Sequence, residues 1–173
     1  MAVGRPDRPW DPGRVLDVAT PADAAAVLRL RDEVAGWLLA RGIDQWHPGE
    51  LTEAGLAAHA AAGNLHVVRT GGRVVGAVVV QHADEPIWGP DDGKAGYVHT
   101  LVVDRAHAGT GLGRRLLAGA EDLIAAAGRP LARLDCVSRN PALRAYYRAA
   151  GYAEVGTREI YYGTITLFEK HLG

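Results

Sequence analysis

The chain has 173 residues and a formal net charge of −1 at neutral pH, from 19 basic and 20 acidic side chains. Its residues are 48% hydrophobic and 23% charged, which is typical of one soluble globular domain. The balanced charge argues against nucleic acid or a membrane surface as a partner, and no apolar run approaches the roughly 18 residues that a membrane span needs.

The single cysteine and the first residues bear on compartment and domain count. Cys136 has no second cysteine to pair with, so an internal disulfide is excluded. The low cysteine content favours a reducing compartment, the cytoplasm. Residues 1–12 are rich in Pro, Arg and Asp, so we expect a loose leader without the apolar core of a signal peptide. We expect one domain over residues 13–173.

The first half of the chain predicts two helices and three strands. Residues 14–19 form a strand-like run, and Thr20-Pro21 is typical of a helix start, so a helix is predicted over residues 22–40. A second, Ala-rich helix is predicted over residues 52–61. Residues 65–69 and 73–81 flank Gly71-Gly72, which indicates a β-hairpin.

The second half alternates strands and helices. After an irregular loop over residues 82–95, we predict a strand at 97–103, a helix at 111–127 and a strand at 131–137. A helix at 140–150 and strands at 152–156 and 164–170 follow. This alternation indicates an α/β or α+β domain.

A glycine-rich segment lies between the predicted strand at 97–103 and the helix after it. Glycine permits positive φ and removes Cβ, so backbone N–H groups can converge on an anion at the start of a helix. Arg114 and Arg115 follow in the first turn and are candidate charged donors. The segment therefore predicts a phosphate-binding loop, whose residues are Ala108, Gly109, Thr110, Gly111, Leu112 and Gly113.

The spacing of these glycines excludes two nucleotide-binding motifs. In the pattern Gly-x-Gly-x-x-Gly the third glycine would fall on Arg114 or Leu116, and no Gly-Lys-Ser/Thr occurs. The segment instead resembles the pyrophosphate loop of the GNAT acetyltransferases, Gln/Arg-x-x-Gly-x-Gly/Ala, with Gly111 and Gly113 in its last two fixed positions. Ala108 departs from the first position, which leaves the phosphates to backbone donors.

A second segment, residues 140–152, resembles the GNAT signature Asn-x-x-Ala-x-x-x-Tyr-x-x-x-Gly-Phe. Asn140, Tyr147 and Gly151 match it, whereas Leu143 replaces Ala and Tyr152 replaces Phe. The resemblance implies the GNAT fold: a mostly antiparallel twisted sheet flanked by helices and splayed between the fourth and fifth strands. It also implies an N-acetyltransferase that uses acetyl-CoA as co-substrate.

The resemblance assigns roles to individual residues. Tyr147 takes the position of the acid that protonates the departing thiolate. Asn140 is open to two interpretations, a cofactor contact or a helix N-cap. The family also uses backbone groups of the strand before the loop to bind the pantetheine arm and polarise the thioester carbonyl, here on Leu101, Val102 and Val103.

An amine must lose a proton before it attacks, so a base is required. His99 is our candidate because imidazole titrates near neutral pH and His99 shares a strand face with Leu101 and Val103. His82, Glu85 and Glu159 are alternatives. The scattered histidines predict no metal site, and Cys136 is predicted to be a packing residue.

The acceptor pocket is predicted around Trp37, Trp46 and Trp88, with Asp44 as an anion for a cationic amine. The predicted acceptor is the primary amine of a small molecule. Two alternatives stay open: acetylation of protein N-termini or lysines, and a non-catalytic sensor of acyl-CoA. A homodimer is also left open.

Overall fold

The computed structural model describes residues 16–173, so the predicted leader and the first two residues of the predicted first strand lie outside the described part. Seven strands form one sheet in the order β1-β2-β3-β4-β5-β7-β6, and β4–β5 is its single parallel pair among these residues. The strands are β1 Asp17–Val18, β2 Leu65–Thr70, β3 Arg73–Gln81, β4 Ala95–Val103, β5 Leu131–Val137, β6 Ala153–Ile160 and β7 Gly163–His171.

In the described part of the chain five helices flank the sheet: α1 Ala24–Leu39, α2 Glu53–Ala61, α3 Glu85–Trp88, α4 Leu112–Ala126 and α5 Pro141–Ala149. Local chemistry fixes their starts. Thr52 accepts a hydrogen bond from the N–H of Gly55 at 3.1 Å, and Asn140 accepts one from the N–H of Leu143 at 3.0 Å. The helix predicted over residues 22–40 begins with a 3₁₀ turn, Pro21–Asp23, before α1.

Apolar side chains cover both faces of the sheet. On one face α1 and α2 pack against β2 and β3, with Val27 and Leu65 fully buried. On the other face α4 and α5 pack against the central strands around Leu116, Ile124 and Phe168. Within residues 16–173, no helix combines the length and apolar character needed to cross a membrane.

The sheet opens between β4 and β5. These strands pair from Ala95 with Leu131 to Tyr97 with Arg133, and beyond that point they diverge while β5 stays paired with β7 along its length. The predicted splay between the fourth and fifth strands is therefore confirmed. It leaves the far half of β4 with one edge facing an opening.

A β-bulge lies in β4 beside this opening. Ala77 faces Val102 and Val79 faces His99, so one residue of β3 opposes two of β4. One of the two, Thr100, has a φ of 51°, a left-handed conformation that costs a β-branched residue about 1–3 kcal/mol. Such local strain is commonly found at functional sites.

Gly96 in β4 offers a test of the packing beneath the splay. A Cβ at Gly96 would lie 2.4 Å from Cγ1 of the fully buried Ile124, so we expect Gly96→Ala to destabilise the fold by about 1–3 kcal/mol or more. Gly36 in α1 is the matched control, because a Cβ there meets no atom within 4 Å. Gly36→Ala should be neutral or stabilising by up to about 1 kcal/mol. Urea unfolding measures both, and equal midpoints for the two variants would contradict this account.

Candidate active site

A cleft of about 290 Å³ occupies the opening between β4 and β5. Side chains from both strands, from α5, from the segment between α1 and α2 and from the β6–β7 turn line it. The lining residues are Arg31, Gln45, Trp46, Glu50, Leu51, Val98, His99, Thr100, Leu101, Asp135, Cys136, Val137, Leu143, Tyr147, Tyr161, Tyr162 and Ile165.

Several predicted site residues therefore meet in one place. His99, Leu101 and Tyr147 line the cleft together with Trp46. Val102 and Val103 lie beyond it on the same strand, where they pair with β3. The edge of β4 that faces the opening has no strand partner past Tyr97 among the described residues, so it can pair with an extended ligand.

The glycine loop adopts the conformation that only glycine accepts readily. Gly109 and Gly111 have φ values of 76° and 81°, and Gly111 is the residue just before α4. No side chain among residues 16–173 caps the start of α4, so the N–H groups of its first turn and its positive dipole end are available to an anion. A Cβ at Gly113 would lie 3.1 Å from the hydroxyl of Tyr146. These features fit a pyrophosphate group.

The side chain of Arg114 forms hydrogen bonds within the protein. Its guanidinium donates to the carbonyl of Ala149 at 2.6 Å and to that of Tyr146 at 3.3 Å, at the C-terminal end of α5. It thereby ties the glycine loop to the helix that carries Tyr147. A direct contact with phosphate stays a prediction for Arg114 and for Arg115.

Asn140 is the N-cap of α5, and its amide nitrogen donates to Oε1 of Gln45 at 2.8 Å. Both ends of the amide are thus engaged in the fold. The N-cap interpretation describes this geometry, and the cofactor contact stays a prediction.

Tyr147 lies at the inner wall of the cleft with its ring against Tyr146, Tyr152 and Phe168. Only 8% of the residue is exposed. Burial raises the pKa of Tyr147 far above its ordinary value, so the phenol keeps its proton throughout the physiological range. A proton donor facing the cleft is what a departing thiolate requires.

His99 lies beside two carboxylates. Its Nε2 is 3.5 Å from Oδ2 of Asp84, and the side chains of Asp84, His99 and Asp135 each place a polar atom within 4.8 Å of the other two. Burial lowers the pKa of His99, although the charge of Asp84 opposes this shift. His99 is therefore uncharged at neutral pH and able to accept a proton.

Asp135 was missed in the sequence. Burial, and secondarily the charge of Asp84, raises its pKa to about 6. The available signal was an acidic residue inside an apolar strand, between Leu134 and Cys136. The cluster also has the composition of a cation site, so the absence of a metal stays a prediction. Cys136 is buried, which raises its pKa to about 12 and supports its predicted packing role.

The predicted acceptor end of the cleft, at Trp46, carries a buried cation. Arg31 is 4% exposed, forms an ion pair with Glu50 at 2.6 Å and stacks on the ring of Trp46 at 4.0 Å. The charge of Arg31 is thereby balanced within the cleft wall. Trp46 lines the cleft, and its contact with the acceptor stays a prediction.

The other two tryptophans lie outside the cleft lining. Trp37 is sandwiched between Arg41 and Arg105, and Trp88 packs against Tyr97 and beneath Arg133. A contact with the acceptor stays a prediction for both tryptophans. The alternative bases also lie outside the lining, namely His82, Glu85 and Glu159.

A single arginine connects the two segments that border the predicted acceptor end. Arg139 forms an ion pair with Asp44 at 2.8 Å, donates to the carbonyl of Asp44 at 2.9 Å and donates to that of Tyr162 at 3.2 Å. The segment after α1 is thus joined to the β6–β7 turn. Asp44, expected to offer an anion to the amine, is already paired with a guanidinium.

Residues 31–152 match the model of the Acetyltransferase (GNAT) family. The uncharacterized N-acetyltransferase YesJ of Bacillus subtilis (strain 168) is 34% identical over 159 residues, which cover 87% of this chain and 86% of YesJ. The chain belongs to the GNAT family. It is therefore an acetyltransferase with acetyl-CoA as co-substrate, as the two sequence signatures predicted.

Solved GNAT structures share the fold. A GNAT family acetyltransferase from Listeria monocytogenes 4b F2365 superposes with a TM-score of 0.76 at 26% identity, covering 91% of this chain and 94% of that one. The structure of yncA from Salmonella typhimurium with its cofactor acetyl-CoA superposes with a TM-score of 0.70 at 20% identity. The match covers 91% of this chain and 93% of yncA. The splayed sheet is thus part of a GNAT fold.

Proposed function

We propose that this GNAT enzyme transfers the acetyl group from acetyl-CoA directly to the primary amine of a small molecule. The observation that carries the choice of acceptor is the bridge made by Arg139. It joins both borders of the acceptor end and so confines the cleft, whereas a protein N-terminus or a lysine needs room for the flanking chain.

The chemistry follows from the groups in the cleft. His99 is uncharged and takes a proton from the amine, which can then attack the thioester carbon. Tyr147, kept protonated by burial, gives its proton to the departing sulfur. The C–N bond forms as the C–S bond breaks, and no acyl-enzyme is required. The nitrogen then loses its second proton, which restores the phenol of Tyr147 through solvent, and His99 releases the first proton to solvent.

A thiol-release assay tests the acceptor class. With acetyl-CoA present, we expect release with small primary amines and little release with peptides that carry a free N-terminus or a lysine. Release with peptides alone would contradict the small-molecule proposal. Binding of acetyl-CoA without release for any acceptor would indicate the sensor alternative.

Arg139→Ala tests the confinement directly. Because Arg139 joins the two borders, its loss should widen the cleft, and kcat/KM for bulky amines should rise relative to that for small ones by about tenfold or less. Arg129→Ala is the matched control, because Arg129 forms a similar ion pair with Asp91 at 2.8 Å outside the cleft lining. An unchanged size preference in Arg139→Ala would remove the structural basis for choosing a small acceptor.

A further inference from the structure

One carboxylate in the cleft has no counter-charge. Asp135 lies on β5 between Leu134 and Cys136, which face α4 and α5, so strand alternation turns Asp135 toward the opposite side. It is half-buried at the cleft wall. Among residues 16–173 it forms no hydrogen bond with another side chain and no ion pair.

The cations of the cleft are already paired. Arg31 balances Glu50, and Arg139 balances Asp44. The groups around Asp135 are anionic or uncharged. Asp84 and His99 lie within 4.8 Å of it, and the charge of Asp135 also acts on Cys136, Tyr147 and Tyr162. A partly desolvated carboxylate without a partner is unfavourable, so a ligand that brings a positive charge would be stabilised there.

The geometry suits an ammonium group. Hydrogen bonds of about 2.8 Å from one tetrahedral nitrogen reach two acceptors about 4.6 Å apart. Asp135 and His99 stand on the two arms of the splay with polar atoms within 4.8 Å of each other. One nitrogen can therefore donate to both side chains while it lies in the cleft lined by Tyr147.

We infer that Asp135 binds the ammonium group of the acceptor and makes the enzyme selective for cationic amines. This inference rests on the proposed function. One proton then passes from the ammonium nitrogen to the imidazole of His99, so the positive charge moves to His99, beside the carboxylates of Asp84 and Asp135. The amine is left neutral beside the base that deprotonated it.

Asp135→Asn tests the inference with two acceptors, a primary alkylamine and hydroxylamine, which is uncharged at neutral pH. We expect KM for the alkylamine to rise at least about tenfold, because a desolvated charge pair is lost. KM for hydroxylamine and for acetyl-CoA should stay within about twofold. The matched control is Asp122→Asn, the same change at an exposed position of α4, and it should alter none of the three constants.

Stability separates binding from a structural role. A carboxylate whose pKa is raised by folding destabilises the fold above that pKa, so Asp135→Asn should unfold at the same or a higher urea concentration at pH 7. A lower midpoint, or an equal rise of KM for both acceptors, would overturn the inference. If the wild-type chain releases no thiol with any amine, the proposed function itself fails.

Discussion

Replacing Tyr147 with Phe should lower kcat for acetyl transfer by about 10²- to 10⁴-fold, the usual contribution of a positioned proton donor. The substitution removes a hydroxyl and keeps the ring that packs against Tyr146 and Phe168. We therefore expect KM for acetyl-CoA and the unfolding midpoint to change little. Steady-state thiol release at saturating acetyl-CoA measures the effect.

Tyr152 provides the control for this substitution. It is also buried, its ring lies 6.2 Å from that of Tyr147, and it does not line the cleft. Tyr152→Phe should keep kcat within about threefold of the wild-type value if the proton donor is specific to Tyr147. Equal losses in both variants would show that the aromatic cluster supports the fold and that Tyr147 is not the acid.

The sequence predicted strand bounds well where turn residues flank the strand and where the side chains on at least one of its faces are buried. β5 was predicted without error because Gly128 and Pro130 precede an apolar run, and the β2–β3 hairpin follows from Gly71-Gly72. The prediction of β6 ended at residue 156 instead of Ile160. Seven of its eight residues are exposed, so its side chains lack the alternation of a half-buried strand.

The helix α3 was missed for a different reason. It spans four residues within the predicted loop at 82–95, where Pro and Gly argued against regular structure. A segment of four residues is too short to show helical periodicity. The position of α3 matters to the site, because the residue before it is Asp84. The sequence indicated only a loop here, so it did not predict that Asp84 lies beside His99.

The residues of the candidate site also fall into those that the sequence indicated and those that it did not. His99, Tyr147 and the glycine loop could be proposed from local sequence and from the family resemblance, and their roles stay predictions. Asp135 was missed because its significance depends on the opening between two strands, which sequence spacing does not report. Trp37 and Trp88 were predicted at the acceptor pocket but lie outside the cleft lining. Trp37 stacks with an arginine, and Trp88 packs against an aromatic ring.

His99→Gln should lower kcat at pH 7 by about 10²-fold or more, because an amide cannot accept the proton of the amine. His82→Gln is the matched control at an exposed position that the sequence also allowed as the base. It should retain wild-type activity. Loss of activity in His82→Gln with retention in His99→Gln would move the base to the loop after β3.

The pH dependence separates the roles of His99 and Asp135. Burial holds the pKa of His99 below 6.5, so kcat should be constant around neutral pH and fall as the pH drops through that lowered pKa and the imidazole gains a proton. Asp135, with a pKa of about 6, is ionised above that pH, so KM for a cationic amine should rise as the pH falls below it. Asp135→Asn should abolish the change in KM and retain the acid limb of kcat. Loss of both in that variant would mean that the two groups titrate as one unit and that the proton cannot be assigned to His99.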